Sequence, residues 1–152
     1  QVTYRVARQD LRDNEHPDAA ARRLAGFTGD APPDGGILHS TSWRFAAGQI
    51  VLTYAALPDP DPSTAAVLHP PHESARGADP LTPSPPQVAQ ADVAAHACRH
   101  LAFLHHTDPA VAAASHRQPA LWKLLDSYRP DVAGRIAPSP APRVPNSAPS
   151  AA

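Results

Sequence analysis

Two histidine arrangements in this 152-residue chain have residue types and spacings that could do chemistry. The first is His39-Ser40-Thr41-Ser42. On a strand, side chains two apart share a face. His39 and Thr41 would then stand together, an imidazole for proton transfer beside a hydroxyl that can hold an anion. The second is His96 and His100, four apart with Cys98 between them. On a helix that spacing lets two imidazoles chelate one cation, with a third ligand from His105, His106, His69 or His72. Cys98 would point about 200° away from either neighbour, so it cannot join them. It reads instead as a small core residue. The histidine spacings match no known zinc module. Ser40 and Ser42 lie in a strand rather than a G-x-S-x-G elbow. The GDAPPDGG stretch lacks the amide donors of a phosphate loop, because its prolines remove them.

The elements that must position these groups follow from periodicity. The segment 37–57, ILHSTSWRFAAGQIVLTYAAL, is rich in β-branched and aromatic residues and predicts a β-hairpin. Strict alternation puts Ile37, His39, Thr41, Trp43 and Phe45 on one face, with Trp43 in the core. Leu38, Ser40, Ser42 and Arg44 take the other. Ala46-Ala47-Gly48 connects the strands, with Gly48 available for a positive φ. The second strand, 49–57, is apolar on both faces, as central strands are. Ser40, Ser42, Arg44 and Tyr54 form the expected face for a ligand or partner.

Upstream, residues 2–7 alternate like a half-buried strand. Pro17 opens a helix through Ala25, and Gly26 stops it. Downstream, Ser84 is expected to cap a helix from Pro85 or Pro86 to about His105. Thr107-Asp108-Pro109 restarts a helix, and Pro119 opens another with a Leu121, Leu124, Leu125, Tyr128 stripe. Between hairpin and helices, residues 57–86 hold nine of the chain's 20 prolines. That segment reads as a mobile Pro-rich loop, either a spacer or a ligand for an aromatic-lined groove. The Pro-rich tail 138–152 has nothing to bury and is expected to be disordered. The sum is one α+β domain over 1–137, interrupted by the loop 58–86. It would hold a small antiparallel sheet of about three strands, including the hairpin 37–57, covered by the C-terminal helices.

Composition narrows the function classes. Net charge is −1, which argues against a nucleic-acid binder. Lys123 is the only lysine against twelve arginines, a bias that fits a GC-rich genome. A lone cysteine, Cys98, forms no intrachain disulfide. No run approaches the ~18 apolar residues of a membrane span. The first ten residues lack the apolar core of a signal peptide and an initiator Met, so further leading residues are expected. A cytoplasmic protein without cofactor, nucleic-acid or membrane association is expected. A protein partner would use the sheet face or the Pro-rich loop.

Three resemblances add to this. HSTS resembles the H-x-T/S-x motif of two-histidine phosphoesterases, in which two such motifs face each other on strands. Each histidine there is acid or base, and each hydroxyl holds phosphate oxygens. The resemblance implies His39 as acid-base and Thr41 as phosphate ligand. The only other match, His105-His106-Thr107, falls at a helix end. The strand-helix-hairpin start is similar to the Nudix fold, but Glu15 and Glu73 are the only glutamates, too few for a Nudix box. HSTSWRF, LTYAAL and RHLAFL resemble small uncharacterised proteins of high-GC actinobacteria, which brings no activity. The first expectation is thus a non-enzymatic binding or accessory module. The alternative is a phosphoesterase-like hydrolase using His39 and Thr41. The third is a His-based metal-binding protein using His96 and His100. An enzyme requires a pocket where His39 meets a second group, such as Tyr4, Tyr54 or a histidine of the 96–106 helix.

Overall fold

The computed structural model of the protein describes residues 1–29, 33–68, 75, 77, 81–82, 85 and 87–130. The hairpin forms where its composition demands. Strand β2 (Ile37–Ala46) pairs antiparallel with β3 (Gln49–Leu57), Ile37 opposite Leu57. Ala46 pairs with Gln49, so the turn is Ala47-Gly48, with φ of 50° and 79°. Two positive φ values give the turn whose twist matches the flanking strands, at a cost of about 1 kcal/mol for the non-glycine Ala47.

The register slips once. Ser40 lies opposite Tyr54 and Ser42 opposite Thr53, so Thr41 has no counterpart on β3. One extra residue is a β-bulge, and beyond it the inward and outward positions exchange. His39 opposite Ala55, Ser42 opposite Thr53 and Arg44 opposite Val51 share the inner face. Ser40 opposite Tyr54, Trp43 opposite Leu52 and Phe45 opposite Ile50 share the outer face. Thr41 is 3% exposed, whereas Trp43 and Phe45 are 68% and 69% exposed. The expected single face from Ile37 to Phe45 is therefore broken in two, Trp43 is not core, and the row Ser40, Ser42, Arg44 is split between faces.

The N-terminal strand does not join the hairpin. Before the segment 57–86 is half traversed, a 3₁₀ turn (Pro62–Thr64) leads into β4 (Ala66–Val67), which pairs antiparallel with β1 (Thr3–Tyr4). Among the described residues the architecture is thus α+β with two two-stranded antiparallel sheets and four helices, not one sheet of about three strands. Residues 63–68 are free of proline, so their amides can donate. The Leu68 N–H reaches the Val2 carbonyl, and its side chain is 1% exposed. The segment expected as a free excursion is pinned to the body there. His69, His72 and the expected tail 138–152 lie outside the described residues.

Helix boundaries follow local chemistry. Pro17 opens α1 (Pro17–Leu24), where the His16 ring accepts from the Asp18 N–H, and Gly26 at φ 74° ends it. Helix α2 (Gln90–Thr107) starts later than Pro85 because the residue before a proline is pushed off helical φ/ψ. Asp92 instead accepts from the Ala89 N–H at 2.8 Å. The Asp108 carboxylate caps α3 (Pro109–Ser115) by accepting from the Ala110 and Val111 amides. Pro119 opens α4 (Pro119–Leu125). Ala95, Cys98 and Leu101 of α2 form the core with Ile37, Leu57 and Leu68, extended by Val111, Trp122 and Leu125. Burial pushes the Cys98 thiol up to about 12. On the outer face, the Tyr54 hydroxyl donates to the Asp18 carboxylate and ties α1 to β3. Burial first, then that bond, raises the Tyr54 phenol to about 12. Among the described residues, no helix is long and apolar enough to cross a membrane.

Candidate functional site

His39 meets a histidine of α2. Its ring centroid lies 5.3 Å from that of His100, at an interplanar angle of 51°. The His39 Nδ1 is 2.8 Å from the Ser40 carbonyl oxygen. A carbonyl only accepts, so Nδ1 carries the hydrogen, and in the neutral tautomer Nε2 holds the lone pair. His96, one turn before His100, lies on the same side of α2. The His96 Nε2 and both His100 ring nitrogens are buried without hydrogen-bond partners among the described residues. Burial holds the His100 pKa below the ordinary histidine value, with His39 and then His96 adding to the effect. At neutral pH its ring is therefore neutral, presenting one N–H and one lone pair that nothing matches.

The other half of the HSTS reading does not assemble. The Thr41 hydroxyl donates to the Thr53 carbonyl at 3.3 Å, inside the bulge. It is spent on the backbone and shielded from any phosphate. The His100 nitrogens are likewise out of reach of a phosphoester. A two-histidine hydrolase needs both imidazoles and a phosphate grip to touch substrate, so this geometry disfavours it. Arg44 donates to the Thr53 hydroxyl at 3.2 Å on the inner face, beside Ser42. Ser40 is exposed and faces outward with Tyr54, itself bound to Asp18. Ser40, Ser42, Arg44 and Tyr54 therefore form no common surface. Cys98 turns into the core, away from His96 and His100.

Two groupings escaped the sequence reading. At the distal end of the ribbon's outer face, Trp43, Phe45 and Ile50 are about two-thirds exposed (68%, 69% and 67%) and Leu52 is 43% exposed. Trp43 lies opposite Leu52 and Phe45 opposite Ile50, so the four side chains are contiguous. The one sequence signal for them was the second strand's apolar residues on both faces, which left Ile50 and Leu52 without a matching layer. The other grouping lies at the C-terminal end of α2. There His105, His106 and Asp126 each bring a ligand atom within 4.8 Å of the others. His105 and His106 were named as third ligands for His96 and His100, whereas Asp126, from beyond α4, carried no sequence signal.

No protein-family model matches the chain, and neither the curated proteins nor the solved structures yield a match.

Proposed function

We propose that this domain is an accessory module that docks a protein partner through the distal outer face of its β-ribbon. The observation that carries the reading is the contiguous exposure of Trp43, Phe45, Ile50 and Leu52. An aromatic side chain offers roughly 150–250 Å², so two-thirds exposure of each ring leaves about 100–170 Å². With the two aliphatic side chains the patch is on the order of 400 Å², the size at which exposed apolar surface is commonly functional.

Its size and charge favour one kind of occupant. Two copies face to face would bury only about 800 Å², the range of lattice contacts rather than stable dimers. Arg44, the nearest cation in the strand, faces inward, and the chain's net charge is −1. Neither strand presents a cation on this face, which disfavours anionic lipid or nucleic acid as the occupant. An amphipathic helix presenting anchors at i, i+3 or i+4 matches the patch in size and chemistry. Burying about 400 Å² contributes roughly 10 kcal/mol before association costs of a similar order, so the docking is weak and reversible. Photo-crosslinking from position 45 in native lysate, against the same crosslinker at inward position 44, tests it. Discrete adducts from position 45 alone are expected. Equal labelling from both positions, or a dimer by sedimentation at micromolar concentration, would overturn the reading.

The seam supports a second reading, a metal ion chelated by the i, i+4 pair His96 and His100 of α2. Its specific support is the set of shielded, unmatched ring nitrogens, which only a ligand of atomic size can reach. Measured in an Asp126→Asn background, which disables the cluster at the end of α2, zinc affinity that falls at least tenfold in both His96→Ala and His100→Leu supports it. Unchanged affinity in both removes it.

A further inference from the structure

Independently of the ribbon face and of the seam, we propose that the end of α2 carries an open site for a borderline divalent transition metal. Its ligands are His105 Nδ1, a His106 ring nitrogen and the Asp126 carboxylate.

The argument starts at a buried serine. Ser115 is 4% exposed, and its hydroxyl donates to the Ala112 carbonyl at 2.7 Å. That uses its only hydrogen. The same oxygen lies 3.1 Å from His105 Nε2, so there it accepts and Nε2 carries the proton. In the neutral ring, Nδ1 is then a bare lone pair. It is buried, has no aligned hydrogen bond, and lies 3.4 Å from Asp126 Oδ1. Two acceptors facing each other at that range repel unless a cation lies between them.

The spacing fits such a cation. Ligands about 2.1 Å from a tetrahedral metal stand about 3.4 Å from each other. The His106 ring stacks beside His105 at 5.4 Å and 29°. One donor atom from each of the three residues lies within 4.8 Å of the other two, which a small side-chain rotation closes. The orientation of His105 is already set. Ser115 holds Nε2, and Trp122 packs its ring centroid 4.9 Å away. A metal-bound histidine typically donates its second nitrogen to such an outer partner, which fixes its tautomer.

The donor set defines the ion. Two imidazoles and a carboxylate suit iron(II), cobalt(II) or zinc, and no thiolate takes part. Three protein ligands leave coordination positions open. A cavity of about 160 Å³, lined by His105, His106, Thr107, Asp108, Pro109 and Ala112, adjoins the site. It has room for water or a small oxygen ligand on the metal. The site differs from the seam in this openness, since His106 and Asp126 are exposed.

The test uses the full chain and cobalt(II) as probe, read by its visible ligand-field bands and by calorimetry, with zinc competition. His106→Ala and Asp126→Asn are surface changes expected to keep the fold, as circular dichroism would check. Each is expected to weaken cobalt at least tenfold, and Ser115→Ala by about 10- to 100-fold. His100→Leu, which touches only the seam, is expected to leave these bands unchanged. Binding within twofold of wild type in both His106→Ala and Asp126→Asn would overturn the proposal. So would nitrogen NMR showing His105 protonated on both nitrogens at pH 8, which would make the contact with Asp126 an ion pair.

Discussion

Replacing His100 with leucine is expected to stabilise the metal-free protein, the reverse of what a structural histidine would do. Both ring nitrogens of His100 are buried without partners. An unsatisfied buried polar group costs about 1–3 kcal/mol, and removing it in favour of an apolar group of similar shape is neutral or favourable. His100 as a whole is only half-buried, so the lower end applies, about 1–2 kcal/mol. Leucine adds a few tenths through helix propensity. At about 4–8 °C per kcal/mol for a small domain, Tm rises by roughly 4–16 °C. The pH dependence sharpens the test. The unfolded ring titrates at the ordinary 6.5, and the folded ring titrates lower because burial disfavours its charge. Below 6.5 the unfolded chain binds the extra proton, so stability is complete above 6.5 and declines as pH falls toward the folded value. One proton gives a slope of at most about 1.4 kcal/mol per pH unit, and less for a ring this partly exposed. His100→Leu removes that contribution; His39 and His96 are the titratable groups that face it. Urea unfolding with chelator at pH 7.5, 6.5 and 5.5, followed by tryptophan emission, in which buried Trp122 rather than exposed Trp43 reports the transition, measures both quantities. In an Asp126→Asn background, which removes the site at the end of α2, zinc at about 100 times Kd contributes about 2.7 kcal/mol, and the second reading predicts that His100→Leu forfeits it. A variant more than about 1 kcal/mol less stable at pH 7.5, with an unchanged acid slope, would refute the account of unmatched nitrogens.

Other substitutions probe the fold that positions these groups. A Cβ at Gly35 would lie 2.7 Å from the Arg117 Cβ, whereas one at Gly48 meets nothing within 4 Å, and both residues have positive φ. Gly48→Ala is expected to cost about 1 kcal/mol and Gly35→Ala at least 1 kcal/mol more, by urea midpoints. Equal costs would contradict the packing of the 33–36 loop on α3. Thr41→Val removes only the bond to the Thr53 carbonyl, so a loss of about 1 kcal/mol is expected with zinc affinity within twofold of wild type. A tenfold loss of affinity would return Thr41 to the site. Cys98, buried with its thiol pushed up to about 12, is expected to resist a thiol reagent at pH 8 until the chain unfolds. Rapid reaction of the folded protein would place Cys98 outside the core.

What the sequence determined by itself was local. The β-branched run flanking Ala47-Gly48 specified a ribbon because turn and strand preferences agree over a few residues. Pro17, Pro109 and Pro119 marked helix starts because a missing N–H costs nothing in a first turn. The i, i+4 spacing of His96 and His100 put them on one side of α2, and a meeting of His39 with that helix was among the partners foreseen. What the tertiary structure decided was every relation between distant segments. Nothing in Ser40-Thr41-Ser42 announces a bulge. It forms with Thr41 buried and His39 turned toward α2, and the phase change sends Trp43 and Phe45 outward. The pairing of Thr3–Tyr4 with Ala66–Val67 depends on Leu68 finding the core across more than sixty intervening residues, a closure whose cost local pattern does not record. The approach of Asp126 to His105 depends on how α4 packs against α2. Side-chain type and period set which groups a segment can offer, and only the packing of segments sets which of them face one another.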